Sequence, residues 1–355
     1  MTRILQYISL LSLLLLFGCR RDSYVEEACT AIGFAPAVTV ETKTGSAKPN
    51  DPTVLITAGN RISVFGQRIV NEGGVGGQES ISSVFTNQAL ECEWVNTETL
   101  NNSTWKYTPL QYWEDTGHYY FQGIFPYHAS NYTLGNDWYI NILYRAGDNN
   151  DLMVARGYRD VAANGKNPVP MAFNHACSAV RFLFGKESTS ATANEFTLTD
   201  FRLDNISVSG TLRLSTRRNT NPIETNYDNW IPGSLGTLFS WTADRPQDRK
   251  NIPHPSTTHD PDGYLQMGWY YMVPHTLNAS ASVRFSISYS GQAPMTTELN
   301  ISSRAESPSG TVDSWVPNQV YNYYITITQS GLDLTVVTTP WDEVDVNTDE
   351  MVFMP

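Results

Sequence analysis

Residues 321–336 read Tyr-Asn-Tyr-Tyr-Ile-Thr-Ile-Thr-Gln-Ser-Gly-Leu-Asp-Leu-Thr-Val, and this stretch decides the fold. Large apolar residues recur at every second position on both sides of a polar break that ends in Gly331. A period of two is the pattern of a β-strand with one buried face, and glycine among polar residues indicates a turn. The alternating residues are Tyr321, Tyr323, Ile325 and Ile327, and then Leu332, Leu334 and Val336.

The same alternation recurs upstream, whereas helical periodicity is nearly absent. Short strands separated by turns predict an all-β fold of two tandem antiparallel β-sandwich domains rather than an α/β enzyme fold. Further alternating sets are Ile32, Phe34, Val38 and Val40; Ala176, Ser178, Val180, Phe182 and Phe184; and Val283, Phe285, Ile287 and Tyr289.

Turn-rich segments predict how these strands are divided. The stretch at 163–168 contains Asn, Gly and Pro, so we expect an N-terminal domain over 19–166 and a C-terminal domain over 167–355. The second domain is expected to open with the alternating run at 171–184 and to end in a donor-strand or tail segment. Residues 215–262 are polar and contain proline, which favours an irregular inserted loop. Pro36 places the first strand at a sheet edge.

The composition favours an extracellular β-protein. The formal net charge is −12, with 35 acidic and 23 basic residues, whereas nucleic-acid binding requires clustered Lys and Arg. The same charge argues against loose adhesion to anionic lipid surfaces. Charged residues make up only 16% of the chain and aromatic residues 12%, a balance typical of β-rich surface proteins.

The N-terminus has the pattern of a bacterial lipoprotein signal peptide. An apolar run at 4–17 follows Arg3, and it is shorter than the roughly 20 residues that a membrane-spanning helix needs. The sequence Leu-Phe-Gly-Cys at 16–19 places a small residue directly before a cysteine. We therefore expect that residues 1–18 are removed and that Cys19 carries lipid, which anchors the chain to a membrane outside the cytoplasm.

Three further cysteines remain, namely Cys29, Cys92 and Cys177. An odd number allows at most one disulfide within the chain. The spacings are long and include no C-x-x-C motif, whereas a zinc site needs about four close ligands. We expect unpaired, packed thiols, with one disulfide as the alternative.

The sequence contains no motif for catalysis. G-x-S-x-G, H-E-x-x-H, Walker and dinucleotide-binding motifs are all absent. His254 and His259 lie near Asp260 and Asp262, but an Asp-Pro-Asp-Gly turn in a solvated loop explains that grouping better than a metal site does. We therefore expect no enzyme activity, no metal and no cofactor.

Aromatic residues are concentrated between Trp105 and Tyr127. Within this block Trp105, Tyr112 and Trp113 are candidates for a platform on which a glycan or a host protein could stack. Aromatic residues of a sandwich more often fill the core or pair across strands. Core packing is therefore the preferred interpretation, and ligand contact is the alternative.

Four patches of the chain resemble the fimbrillin-like proteins of Bacteroidales, which are pilus subunits made as lipoprotein precursors. The patches occur in family order across nearly the whole mature chain, and the resemblance implies two transthyretin-like sandwiches. They are the lipid-attachment motif followed by the alternating segment at 32–44, the aromatic block at 105–127, the pair 151–155 and 173–180, and the segment 315–323 with 332–334 and Pro340-Trp341.

The resemblance implies assembly by donor-strand exchange. The precursor's own first strand would complete the N-terminal sandwich until a protease removes it, and a C-terminal segment of another subunit would then fill the groove. The strand to be displaced carries Ile32, Phe34, Val38 and Val40. The candidate donor residues are Leu332, Leu334, Val336, Val344 and Val346, the last two in an acidic tail that could instead stay solvated.

The chain departs from the family pattern at the expected cleavage site. Processed members carry arginine after the first strand, whereas the matching position here is Lys43. Arg61 and Arg68 are later alternatives. A second departure is Asn318-Gln319 in place of Gly-Lys, which still suits a turn because Asn tolerates left-handed conformations.

These observations predict a fimbrial (pilus) subunit or a pilus-associated adhesin at the cell surface. Its expected partners are other pilus subunits, the outer membrane through the lipid, and a host glycan or protein, with no nucleic acid. The alternative is a lipid-anchored adhesin that binds glycan or host protein and never polymerises. A shaft, tip or anchor position stays open.

Overall fold

The computed structural model describes residues 30–36, 59–70, 80–93, 104–135, 139–187, 196–215, 230–302, 306–307, 310–328 and 331–341. Strands dominate these residues, and the helices among them are single turns. The prediction of an all-β fold is confirmed. No helix within these ranges is both long and apolar enough to cross a membrane.

The strands of the first half are β1 (Phe34–Pro36), β2 (Arg61–Val70), β3 (Ser80–Glu93), β4 (Thr104–Lys106), β5 (His118–Phe125), β6 (Tyr132–Leu134), β7 (Tyr139–Arg145), β8 (Met153–Asp160) and β9 (Val169–His175). Those of the second half are β10 (Ser178–Lys186), β11 (Phe196–Ser207), β12 (Ser209–Ser215), β13 (Trp230–Pro232), β14 (Leu235–Thr242), β15 (Lys250–Asn251), β16 (Leu265–Gln266), β17 (Tyr270–Met272), β18 (His275–Thr276), β19 (Ser282–Tyr289), β20 (Met295–Asn300), β21 (Glu306–Ser307), β22 (Gly310–Thr311), β23 (Ser314–Trp315), β24 (Gln319–Ile327) and β25 (Leu332–Pro340). The short helix α1 (Val161–Asn164) and the 3-10 turns Ala146–Asp148, Pro246–Asp248 and Pro261–Gly263 lie in connections between strands.

The first half is organised around one sheet with the strand order β1-β9-β8-β5-β2-β3-β4. Its neighbouring strands are antiparallel, apart from the parallel pair β1 and β9. The edge position of β1 agrees with the expectation from Pro36, since proline has no N–H to donate to a further strand.

The second half contains two sheets that pack face to face. One has the order β16-β10-β24-β25-β21-β22 and the other β14-β11-β19-β20. Between them Phe182 and Phe184 of the first sheet contact Phe201 and Phe285 of the second, at centroid distances of 5.5 and 5.1 Å for the pairs Phe182–Phe201 and Phe184–Phe285. The hairpin predicted from residues 321–336 is present as the antiparallel pair β24 and β25. In contrast to the antiparallel expectation, β10 and β24 run parallel.

A further sheet, β13-β12-β7-β6, connects the halves because β7 pairs with β12 over seven residues. The hydrophobic core is correspondingly continuous across this junction. Phe65, Ile124 and Val154 of the first sheet belong to the same buried cluster as the core of the second half. A second cluster, which contains Phe34 and Phe121, fills the opposite face of the first sheet.

Three expectations about elements differ from the structure. The run at 171–184 is two strands, and β9 lies beyond the predicted boundary at 166 yet pairs with β8 and β1. The chain passes between sheets at Ala176-Cys177, where Ala176 N–H donates to Leu152 O at 2.7 Å. Residues 230–251 form β13, β14 and β15 within the expected loop. The pairing of β14 with β11 has register shifts, which weaken its period-two signal.

Candidate functional site

The segment 30–36 completes the core of the N-terminal sheet. Ile32 and Phe34 are only 1% and 3% exposed. The Phe34 ring makes edge contacts with Phe121, Phe85 and Tyr107, at centroid distances of 5.1, 5.7 and 6.5 Å. Burying a side chain of this size stabilises a fold by about 1.5–3 kcal/mol. Residues two apart on this short strand therefore fill the core, as the alternation predicted for this part of the segment.

The backbone of the same segment is held on two sides. On one side β1 pairs with β9, and Val169 N–H donates to Gly33 O at 2.8 Å. On the other side Ile32 N–H donates to Gln111 O at 2.8 Å, and Trp113 N–H donates to Thr30 O at 3.0 Å. Removing the segment would therefore leave backbone donors and acceptors on both sides without their partners, which is costly for buried groups.

The Tyr107 hydroxyl adds a side-chain contact to this arrangement. It donates to Ile32 O at 2.7 Å in a buried position, and Gln111 N–H donates to the hydroxyl oxygen at 3.4 Å. Burial raises the pKa of Tyr107, so the hydroxyl keeps its proton and remains a donor. Tyr107 thus joins the aromatic cluster around Phe34 to the main chain of the segment.

Glycines on neighbouring strands make room for the ring beneath Phe34. Phe121 pairs directly with Gly66 on β2 and with Gly157 on β8. A Cβ on Gly66 would lie 2.8 Å from Phe121 Cδ1, and a Cβ on Gly157 would lie 2.6 Å from Val169 Cγ1. A side chain at either position would force these neighbours to shift, so the two glycines let Phe121 and β9 pack tightly.

Together these residues define a groove, which is the space between β9, residues 111–113 and Phe121 that segment 30–36 now occupies. Its requirements are an extended backbone and two apolar side chains two residues apart. Val38 and Val40, the other residues predicted for this strand, lie outside the described ranges.

The candidate cleavage sites are not equivalent. Arg68 lies within β2 and pairs on both sides, with Ser82 of β3 and Tyr119 of β5. Its guanidinium is also bound, to Glu114 at 2.8 Å and to Thr116 O at 2.9 Å. A protease needs an extended, accessible backbone, so these contacts make Arg68 a poor candidate for cleavage while the sheet is folded.

Arg61 is more accessible, since it is the exposed first residue of β2. Its carbonyl accepts from Tyr127 N–H at 2.9 Å, and its guanidinium lies 5.1 Å from the centroid of the Tyr127 ring. A cut there would separate β2 from the segment before it. Lys43 lies outside the described ranges.

The candidate donor residues that the structure describes belong to their own sheet. Leu332, Leu334 and Val336 lie on β25, which pairs with β24 in register from Leu332 to Pro340. Val336 is fully buried, and Leu332 and Leu334 are partly buried against the main core. Val344 and Val346 lie outside the described ranges.

The strand β25 ends at a buried tryptophan. Trp341 is 1% exposed, and its backbone N–H donates to Asn318 O at 3.0 Å. Its ring stacks on His175, whose Nδ1 lies 2.9 Å from Asp151 Oδ2. Sequence reasoning missed this junction. Its members come from three distant segments, and the only signal was that two of the family-like patches contain them.

Of the candidate ligand aromatics, two are core residues. Trp105 and Trp113 are each 4% exposed. Trp105 makes an edge contact with Phe173 at 5.7 Å, and Trp113 with Tyr119 at 4.8 Å. A ligand cannot reach their ring faces, so the ligand role is wrong for both and the core interpretation holds. Tyr112 is 48% exposed beside Leu110, which is 50% exposed.

The described cysteines are buried thiols. Cys92 and Cys177 are both free, and burial raises the pKa of each. A protonated, buried thiol is a poor nucleophile and a poor metal ligand. Cys29 and the lipidation candidate Cys19 lie outside the described ranges.

The described residues hold no group of three or more His, Cys, Asp or Glu placed to bind a metal ion. His254 Nδ1 instead lies 3.0 Å from Lys186 O. Asp260 caps the turn at 261–263 by accepting from Asp262 N–H at 3.2 Å. The geometry of this loop is that of the solvated turn that the sequence favoured.

Taken together, the fold and the groove define a class of protein, namely an all-β protein whose short N-terminal strand closes the core from a sheet edge. The chain belongs to the fimbrillin-like family, whose profile matches residues 42–341. The resemblance seen in the sequence is thereby confirmed. No curated protein sequence matches the chain.

Two solved structures with the same fold come from Bacteroides species. A fimbrial protein from Bacteroides vulgatus is 14% identical with a TM-score of 0.52, and the match covers 88% of this chain and 99% of that one. A candidate cell adhesion protein from Bacteroides ovatus is 14% identical with a TM-score of 0.50, covering 90% of this chain and 100% of that one. At this identity the likeness concerns the fold alone.

Family membership supports a fimbrial or adhesive role at the cell surface and implies assembly with other pilus subunits. It also favours a structural role over an enzymatic one. The groove around segment 30–36 is the feature of this chain through which such assembly can be examined.

Proposed function

We propose that the chain is a pilus subunit that is made as a lipoprotein precursor, with lipid on Cys19, and that assembles by donor-strand exchange. The observation that carries the proposal is the way in which segment 30–36 is held. Its contacts are an edge pairing with β9, two hydrogen bonds to residues 111–113, one to Tyr107, and the insertion of Ile32 and Phe34.

Most of these contacts do not depend on the sequence of the segment. Backbone hydrogen bonds to Gln111, Trp113 and Val169 are available to any extended chain, whereas the two apolar side chains provide selectivity. Strand addition at a sheet edge works in this way, with affinity from main-chain hydrogen bonds and specificity from side-chain pockets. An empty groove would expose both unpaired backbone groups and apolar surface, so a second strand would be strongly favoured to replace the first.

The donor is the chain that follows Trp341. Withdrawing β25 would break its ladder with β24 and expose Val336 and Trp341, which are 0% and 1% exposed. Residues 342–355 follow this ladder in the sequence, so their transfer would leave β25 in place. At about 3.3 Å per residue they could extend for roughly 45 Å, which is well beyond the length of segment 30–36. Val344 and Val346 supply an apolar pair at the spacing of Ile32 and Phe34.

Cleavage at Lys43 is the step that starts assembly in this proposal. Arg68 is paired on both sides within a central strand. Cleavage after Arg61 would remove the first residue of β2. A cut at Lys43 would release the segment with its apolar pair and leave β2 complete. The proposed donor tail is acidic, and cleavage would also remove the lipid tether. Both features are compatible with insertion of the tail into the groove of a neighbouring subunit.

The proposal is tested with the full-length protein and a limited trypsin digestion followed by a native gel. We expect ladders only after the fragment ending at Lys43 has been released, as identified by mass spectrometry. The variant Lys43→Ala should stay monomeric, and Arg249→Ala, a substitution on the opposite half, should assemble normally. Monomers that persist after complete release of that fragment would contradict donor-strand exchange.

A non-polymerising lipid-anchored adhesin is the second candidate. The observation that favours it is Lys43, where processed family members have arginine, because retention of the lipid would follow if no protease accepts lysine. In that case mass spectrometry of the N-terminus on intact cells would find acylated Cys19 and no new terminus at residue 44.

A further inference from the structure

The groove selects its occupant position by position, and each position takes the number of the residue of segment 30–36 that occupies it. Positions 32 and 34 face the core, where Ile32 and Phe34 are almost completely buried. Position 33 is half-buried, and a Cβ on Gly33 would lie 3.5 Å from Pro168 Cβ, which is ordinary van der Waals contact. Position 36 is proline, which has no backbone N–H to donate. An occupant therefore needs apolar side chains at positions 32 and 34, whereas position 33 admits a β-carbon.

Position 34 is the most demanding of these. The Phe34 ring lies among Phe121, Phe85 and Tyr107, and it contacts all three edge to face. Phe85 and Tyr107 also contact each other, with ring centroids 5.2 Å apart. A smaller side chain would leave a cavity among these rings, and the cost of a cavity rises with its volume. Position 34 therefore favours an aromatic residue.

The pattern that fills the groove occurs a second time in the chain. Residues 32–36 read Ile-Gly-Phe-Ala-Pro, and residues 351–355 read Met-Val-Phe-Met-Pro. Both stretches have an apolar residue first, phenylalanine third and proline fifth. Phe353 is the single aromatic residue among residues 342–355, and the alignment places it at position 34.

The valine pair of the same tail fits the groove less well. Val344 and Val346 would put a valine at position 34, where the rings surround a phenylalanine. They would also put Asp345 at the half-buried position 33. Partial burial of a carboxylate costs free energy unless a partner compensates for it. The matching stretch at 351–355 avoids both costs.

A third apolar pair with the same spacing is Val352 and Met354. In that register Met354 would occupy position 34, and the Phe353 ring would lie at position 33, outside the core. The register that places Phe353 at position 34 buries the largest side chain of the tail where the groove holds its largest one.

We propose that residues 351–355 of a second copy of this chain are the strand that replaces segment 30–36, with Met351 at position 32 and Phe353 at position 34. The inference rests on the proposed function, and it names the partner strand and its register. The specificity of the groove then lies in the fit of one phenylalanine into the pocket that Phe34 occupies before exchange.

This register also keeps the acidic residues of the tail out of the core. All of them precede position 32, and Asp349 would take the place of Thr30, which is exposed. Residues 342–350 would then link the donor's Trp341 to the groove of its neighbour. At about 3.3 Å per residue this linker spans up to roughly 30 Å.

Single variants of the full-length protein test the choice of residue, each cleaved at Lys43 and run on native gels. Phe353→Ala should lower the fraction of subunits in ladders at least tenfold, because position 34 would lose its ring. Val346→Ala and Met354→Ala are the matched controls and should form ladders as the unmodified protein does. Unchanged ladders in Phe353→Ala, or an equal loss in Val346→Ala, would overturn the register and leave donor-strand exchange standing.

Cross-linking gives the register without any change to the tail. Ala31 forms a β-bridge with Tyr112, so a benzoylphenylalanine at position 112 marks the residue at position 31 of the occupant. In ladders of the cleaved protein it should mark Glu350 or its neighbours. Cross-links centred on Glu343 would instead place the valine pair in the groove, which contradicts this register but supports donor-strand exchange. If the cleaved protein forms no ladders, the proposed function fails and this inference fails with it.

Discussion

Trp341 lies face to face on His175, with ring centroids 3.9 Å apart and an interplanar angle of 6°. Tyr271 stacks on the same indole, with ring centroids 5.6 Å apart. The imidazole of His175 is also hydrogen-bonded to Asp151, since its Nδ1 lies 2.9 Å from Asp151 Oδ2. This stack joins the end of β25 to the junction between the first and second halves. It therefore fixes the end of β25 against that junction.

Replacing Trp341 should destabilise the second half strongly. Trp341→Ala removes a side chain that is 1% exposed, and truncation of a buried tryptophan costs about 3–5 kcal/mol. Urea unfolding followed by circular dichroism measures the free energy of unfolding. Trp241→Ala removes a half-buried indole and should cost about 1 kcal/mol. Equal losses for the two variants would show that Trp341 does not anchor β25.

Truncation of Phe34 should loosen the first strand before any cleavage. Phe34→Ala removes three aromatic contacts, so the backbone amide of Ile32 should exchange with solvent at least tenfold faster, corresponding to about 1.4 kcal/mol or more of lost local stability. Hydrogen exchange with mass spectrometry reads this directly. Tyr112→Ala, which removes an exposed ring beside the same segment, is the matched control. Unchanged exchange in Phe34→Ala would mean that the ring does not retain the strand.

A methyl group on Gly157 should disturb the packing between β8 and β9. The added Cβ would lie 2.6 Å from Val169 Cγ1 and 2.7 Å from Met171 Sδ, and overpacking of this kind costs about 1–3 kcal/mol. Gly147→Ala is the control, because its nearest neighbour, Leu238 Cδ2, would be 3.6 Å away. Thermal unfolding should separate the two variants by several degrees. A neutral Gly157→Ala would show that β9 is free to shift.

His275 should make the protein less stable in mild acid. Burial lowers the pKa of His275, although its hydrogen bond to Val273 O acts in the opposite direction. The unfolded chain then binds a proton that the folded chain does not, so this group's contribution is complete above about pH 6.5 and is lost as the pH falls below that value. His275→Gln should flatten the dependence of the unfolding free energy between pH 6.5 and 5, as sampled in roughly half-unit steps.

His254→Gln provides the comparison for that measurement, since His254 is exposed. It should leave the pH dependence as it is in the unmodified protein. A dependence that is the same in His275→Gln and in the unmodified protein would assign the acid sensitivity to other groups.

Alternation alone predicted the residues that enter the core at both ends of the chain. Phe34 and Tyr323 are buried as the period-two pattern requires, and the pairing of β24 with β25 follows from the turn at Gly331. The residues of these strands that face the main core recur at every second position, although Asn322 and Tyr324 on the other face of β24 are buried as well. The signal is therefore local and readable from neighbouring positions.

Other features depend on contacts that no local pattern encodes. The run at 171–184 looks continuous, but it is two strands, and the chain passes from one sheet to another at the buried residues Ala176 and Cys177. Strand β14 was hidden by the register shifts at Leu203 and by glycines at 233 and 236. The partnership of Asp151, His175 and Trp341 joins residues 24 and more positions apart, so only the folded chain reveals it.

The same distinction applies to the candidate site. The sequence could indicate that the first strand has an inward face, but not that Gln111 and Trp113 hold its backbone. It could indicate an aromatic block, but not that Trp113 is buried whereas Tyr112, its neighbour, is exposed. Burial depends on which strand or loop covers each ring, and this is set by the whole sheet.

Photo-cross-linking from position 112 tests the central claim most directly. Ala31 and Tyr112 form a β-bridge, so a benzoylphenylalanine in place of Tyr112 lies beside the first strand. The uncleaved protein should give cross-links to residues 30–36 of the same chain. The protein is then cleaved at Lys43 and mixed with an isotopically labelled copy. The ladders that form should instead contain cross-links from position 112 to residues 342–355 of a neighbouring subunit. Ladders in which position 112 still joins residues 30–36 of its own chain would contradict donor-strand exchange.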